Sequence, residues 1–106
     1  MINCTITGKV RQLSELKQGK KGQFLTFAIP ENRYHKGKST TTWHDFIAFG
    51  KLAQRLADFA KDDTVVSLQF RIDYDKDDNN PRKYARLIVM NADLIEHYGR
   101  HDGDGA

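Results

Sequence analysis

The chain has 106 residues, 12.2 kDa, 39% hydrophobic and 29% charged residues, and a mean hydropathy of −0.67. That is one domain of ordinary water-soluble composition, too short for a two-domain catalytic cleft and without the run of about 20 apolar residues that a membrane span needs. The net charge of +3 is uneven: residues 1–61 carry 11 Lys and Arg against 4 Asp and Glu (+7), and residues 62–106 carry 6 against 10 (−4), as a face turned to an anionic partner would require.

In chain order, Ile2, Cys4, Ile6, Gly8 and Val10 alternate with polar residues, which predicts a half-buried strand with Gly8 marking a bulge or bend. Residues 18–22, QGKKG, read as a turn, and 24–30, FLTFAIP, as a second strand. Residues 31–41 are polar and basic. They read as a long hairpin loop or as strand extensions projecting past the body. A third strand, 43–50, is apolar on both sides, with Trp43, Ile47 and Phe49 on one and Phe46 and Ala48 on the other. Residues 51–63 change period: Leu52, Ala53, Leu56, Phe59 and Ala60 make the apolar stripe of a three-turn helix, with Lys61 in its last turn. Strict alternation returns over 64–74, 75–82 read as a turn, and a fifth strand opens at 83 with LIVM at its centre. The domain is placed at 1–97, followed by a polar tail over 98–106.

The order is β-β-β-α-β-β. It predicts an all-β fold with one helix: a five-stranded Greek-key barrel of the OB type, with the helix between strands 3 and 4 plugging one end. Such barrels commonly bind oligonucleotides on the face built around strands 2 and 3.

Catalysis finds no foothold. HEXXH, GXSXG and P-loop patterns are absent, and Ser14, Ser39 and Ser67 stand in no nucleophile context. His97 and His101 share helical spacing but lie at the end of the chain. The single Cys4 anchors neither a disulfide nor a cysteine zinc site, and the DKDDNN run lacks the Gly and Glu of a calcium loop. No enzyme activity, cofactor or metal is expected. The positive signal is Tyr34, Trp43 and Phe49 interleaved with Arg33, Lys36, Lys38 and Lys51. Aromatic faces stack on unpaired bases while cations follow the phosphates. The competing reading makes Trp43 and Phe49 core residues. It conflicts with geometry, because Phe46 and Ala48 already supply a core side and a barrel strand turns only one side inward.

The block TTWHDFIAFGKLAQRLADFAKDDTVVSLQFRI, with its Trp43-His44 pair and its Phe49-Gly50-Lys51-Leu52-Ala53 run, resembles the central block of bacterial and phage-type single-stranded DNA-binding proteins. INCTITGKV is similar to that family's first strand, and the likeness covers roughly 2–95. The resemblance implies stacking by Trp43 and Phe49 and, near two further stacking positions, by Tyr34 and Tyr74. It implies phosphate contact by Lys51 and Arg71; Lys9, Arg11, Lys36 and Lys38 are added from their charge. It places His44 at a subunit contact of a homo-oligomer, a tetramer before a dimer. Asp73 and Asp75 stand where the family tends to be basic. The family's acidic C-terminal tail is absent, so recruitment of other proteins is not expected. The implied role is coating and protecting unpaired DNA in replication, recombination or repair, in the cytoplasm. Two alternatives stay open: an adaptor of the replisome or primosome that works through protein contacts, and an RNA chaperone with a cold-shock-like barrel.

Overall fold

The computed structural model describes residues 2–20, 22–77 and 80–97. Its elements are β1 (Ile2–Lys9), β2 (Lys17–Gly19), β3 (Gly22–His35), β4 (Lys38–Phe49), α1 (Gly50–Phe59), β5 (Thr64–Asp77) and β6 (Asn80–His97). The strands form one sheet in the order β1-β5-β6-β4-β3-β2. Every pairing is antiparallel except β4 with β6, which run parallel through Phe46–Leu87 and Ile47–Ile88. The chain just beyond β1 returns to β3: Arg11 and Ala28 exchange two backbone hydrogen bonds of 2.8 Å. That contact closes β1, β5, β6, β4 and β3 into a ring.

The barrel strands are therefore the five expected, and β2 is a sixth. The QGKKG turn is tighter than a loop, because Gly19 pairs directly with Gly22, whose φ of 107° only glycine adopts easily. Its flanks gain three ladder residues as a result. Counting β2, the helix falls between the fourth and fifth strands. Residues 31–41 are strand extensions and not a loop. β3 and β4 pair continuously from Phe24–Phe49 out to His35–Lys38, and Lys36 and Gly37, at φ 51° and 77°, make the two-residue turn with left-handed backbone that suits a twisted hairpin. The turn read over 75–82 is likewise mostly strand, with Asp77 paired to Asn80. The tail over 98–106 lies outside the described residues.

Alternation decides the interior. Leu25, Phe27 and Ile29 of β3, Phe46 and Ala48 of β4, Val66, Leu68 and Phe70 of β5, and Val89 and Ala92 of β6 are buried. Phe46 is the hub: it stacks on Phe27 at 5.5 Å and meets Phe70 edge-on at 5.0 Å. The helix seals one end by burying Ala53 and Leu56, with Ala60 just past its last turn. It stops at Phe59 because Ala60 turns to extended backbone (φ −87°, ψ 145°), so Lys61 lies beyond the helix and not in its last turn. The Lys61 amide instead donates to the Thr64 hydroxyl, 3.0 Å away, at the start of β5.

Gly8 makes neither bulge nor break. The β1–β5 register runs unshifted from Ile2–Ile72 to Lys9–Val65. Glycine is required there for space: a Cβ would stand 2.6 Å from Cγ2 of Ile29, which is only 1% exposed. Gly8→Ala is expected to destabilise the fold by about 1–3 kcal/mol, the usual range for overpacking a filled core, read as a lower urea midpoint. An unchanged midpoint would mean that β1 and β3 can separate at no cost.

Candidate nucleic-acid interface

The β3–β4 register sorts the sequence-predicted residues onto two faces. Phe24–Phe49, Thr26–Ile47, Ala28–Asp45, Pro30–Trp43, Asn32–Thr41 and Tyr34–Ser39 are opposed pairs, and opposed residues share a side. Tyr34, Trp43 and Phe49 therefore lie on one side of one hairpin, opposite the side that carries Phe27, Phe46 and Ala48. Tyr34 is 80% and Trp43 48% exposed, whereas Phe49 is half-buried against Phe24, their ring centres 6.5 Å apart. Along the strand, Trp43 stands about 20 Å from Phe49 and about 14 Å from Ser39, the partner of Tyr34. The aromatics form an extended track and not a cluster.

The track continues across the sheet. Asn3 opposes Arg71, Arg71 opposes Ile88, Ile88 pairs with Ile47, and Ile47 opposes Thr26. Arg71 thus shares the outer face with Trp43 and Phe49, two strands away. Its Nε lies 3.2 Å from Asp73 Oδ2, too poorly aligned for a hydrogen bond, and Nη1 approaches the Met90 sulfur at 4.0 Å. Asp73 thus offsets part of the charge that Arg71 could offer a phosphate.

Beside Phe49 a groove of about 550 Å³ opens between the β2–β3 turn, β4 and β6. Phe24, Ile47, Phe49 and Leu87 line it, with Lys20, Asp45 and Arg86 as its charged members. None of Phe24, Lys20, Asp45 and Arg86 is singled out by the sequence reading. Phe24 could have been found by setting FLTFAIP against WHDFIAF in hairpin register. Arg86 reaches the groove through the parallel β4–β6 pairing, which leaves no local signal.

The remaining predicted residues scatter. Lys51 is exposed in the first turn of α1, next to Phe49, and Lys36 and Lys38 are exposed at the tip of the hairpin. Lys9 lies six residues along β1 from Asn3, about 20 Å from the Arg71 row. Arg11 is taken by Asp63 at 2.7 Å, an ion pair that ties the end of β1 to the loop before β5. Tyr74, 56% exposed, follows Phe70 and Ile72 in alternation and opposes Ala85. It is on the side continuous with the core, opposite Arg71, so the structure does not bring it to the Trp43 face.

His44 also lies on the side continuous with the core. With its proton on Nε2 it donates to Glu31 Oε1 at 3.0 Å, and Arg33 reaches the same oxygen at 3.3 Å. The His44 hydrogen bond first, and then the Arg33 charge, hold the Glu31 carboxyl below its ordinary pKa. Among the described residues no group of three or more His, Cys, Asp and Glu is placed to hold a metal ion.

A closed five-stranded barrel with an outward aromatic track and lysines beside it is the setting in which the sequence match gains meaning. The model of the single-strand binding protein family matches residues 1–95. The chain belongs to that family. Among solved structures, the fold is similar to the small single-stranded DNA-binding protein from Streptomyces coelicolor, with a TM-score of 0.61 and 16% identity over 89% of this chain and 94% of that one. At that identity the likeness establishes the shared fold. No curated protein sequence matches the chain significantly.

For this single-strand binding family member the face assignment has a direct consequence. Trp43→Ala is expected to weaken oligo-dT binding by about 5- to 150-fold, the loss of about 1–3 kcal/mol for one stacking platform, with little change in melting midpoint. A variant that melts far earlier yet binds normally while folded would return Trp43 to a structural role.

Proposed function

We propose that the protein coats and protects unpaired DNA during replication, recombination or repair, by base stacking and phosphate contact and without catalysing a reaction. Single-stranded DNA binding is the role of the family to which the chain belongs. The single observation that carries the fuller reading is the placement of Tyr34, Trp43 and Phe49 on one side of the β3–β4 hairpin, opposite the side that sends Phe27, Phe46 and Ala48 into the core and carries Glu31, Arg33 and His44 farther out. Every base has a π-face, so an aromatic track accepts DNA with little regard to sequence. Lys36 in the turn and Lys51 at the start of α1 are exposed near the two ends of the track and supply phosphate contacts, whereas Lys38, opposed to His35, is on the other side of the hairpin with His44. Arg71 contributes less, because of Asp73. Tyr74, facing the other way, would take part only through a strand that wraps around the β5–β6 hairpin.

The test is titration with oligo-dT across salt concentrations. With about three phosphate contacts, log K should fall against log salt with a slope of about −2, at roughly −0.7 per contact for single strands. A flat salt dependence, or no dT binding, would favour the adaptor reading.

The protein works as a homo-oligomer in this proposal, with a tetramer favoured over a dimer, in the cytoplasm. Among the described residues no helix is long and apolar enough to cross a membrane. Two observations support self-association. β1 ends the sheet order and meets β3 only near Gly8 and at the Arg11–Ala28 bridge just beyond it, so the edge of its earlier residues has no ladder partner among the described strands. Ile2, Met90, Leu94 and Ile95 are each 42–57% exposed. His44 is assigned to the subunit contact. His44→Lys leaves a hydrogen-bond donor beside Glu31 within the protomer while adding a fixed charge to the contact. Sedimentation of the variant should shift to smaller species at dilute concentration. A profile identical to the parent would remove His44 from the interface.

A further inference from the structure

Of all the groups on the outer face of the hairpin, Asp45 fits a phosphate-binding role least. It lies between Trp43 and Ile47 on β4, about 7 Å along the strand from each, and it lines the groove floored by Phe24, Ile47 and Phe49. The carboxylate is exposed, and no hydrogen bond or ion pair to a described residue holds it. Lys20 and Arg86, which line the same groove, draw a phosphate towards themselves, and one that approached this carboxylate would be repelled. A base would not, provided that its edge donates hydrogen bonds.

From this geometry we infer that the groove beside Phe49 is a nucleobase site that selects guanine through the Asp45 carboxylate. The inference rests on the DNA-binding reading above and adds a base preference to it. An ionised carboxylate only accepts hydrogen bonds, and it offers two oxygens side by side. The Watson–Crick edge of guanine presents N1–H and the N2 amino group side by side, two parallel donors for those two oxygens. Thymine presents a single N3–H between two carbonyls, so the second carboxylate oxygen would face a lone pair. Cytosine and adenine present one amino donor beside an unprotonated ring nitrogen, with the same conflict. Lys20, donor-only and also lining the groove, suits the guanine O6 or the adjoining phosphate. The volume of about 550 Å³ admits a purine. Trp43, one pleat away on the same side, would stack the neighbouring base.

The test uses the full chain and fluorescence anisotropy on three short labelled oligonucleotides: all thymidine, the same with one central guanine, and the same with hypoxanthine, which lacks the N2 amino group, in place of that guanine. The parent should bind the guanine oligonucleotide about tenfold tighter than the all-thymidine one, the discrimination expected of one good bidentate contact, and hypoxanthine should lose most of that gain. Asp45→Asn should bring the guanine-to-thymine ratio to about one while leaving the all-thymidine affinity equal or higher, since a negative charge has gone. If the variant does not fold, the hypoxanthine comparison on the parent decides by itself. A ratio of about one in the parent, or a guanine preference that survives in Asp45→Asn, overturns the inference. If the all-thymidine strand binds and quenches Trp43 with no guanine preference, only the base assignment fails. If no oligonucleotide binds, the DNA-binding reading fails and takes the base assignment with it.

Discussion

A closed barrel accepts only one side of each strand, and the rest of this structure follows from that limit. β3 and β4 are both apolar enough on two sides to compete for the interior. Leu25, Phe27, Ile29, Phe46 and Ala48 win it, and burial of the large members contributes roughly 1.5–3 kcal/mol each. The losing side, with Phe24, Ile47, Phe49, Trp43 and Tyr34, has no second sheet or helix to cover it among the described elements. A surface of this kind is stable only because the core beneath it is complete, with Phe46 wedged between Phe27 and Phe70. A slip of one residue in the β3–β4 register would exchange core and surface, so the same hydrogen-bond ladder holds the fold and aims the aromatics.

Charge divides in a similar way. Arg11 joins the end of β1 to the loop before β5 through Asp63, and Leu13 donates its amide to Asp62 in the same loop. Those contacts pin the place where the barrel closes. Arg71 is moderated by Asp73, and Arg33 and His44 converge on Glu31. The lysines at the hairpin tip and at the start of α1 are exposed on flexible stems. Exposed ion pairs of this kind contribute little to stability. Their effect here is to decide which cations are committed within the chain. Asp45 runs against the pattern as a carboxylate among aromatics. That makes the groove beside Phe49 chemically unlike the open track at Trp43, although the two lie on one side of one strand.

By itself, the sequence determined the fold class, the five barrel strands, the helix and the sides of β4, because alternation and helical period are local and the apolar residues here follow them closely. The central block, together with the family match, also carried the single-stranded DNA-binding reading. What it left open depended on pairing. The sixth strand and the long hairpin arms look polar residue by residue, and they are strands because a tight turn at each end sets them in register with a neighbour. Gly8 looked like a bend, and only its approach to Ile29 across the barrel explains it. Tyr74 and Arg11 matched by type and charge, but one faces away and the other is held by Asp63, facts that depend on residues from 11 to 52 positions distant. The groove of Lys20, Phe24, Asp45 and Arg86 draws on four segments, brought together by the parallel β4–β6 pairing and the β2–β3 turn. Long-range closure of that kind leaves no period in a sequence, so only the tertiary structure could decide it.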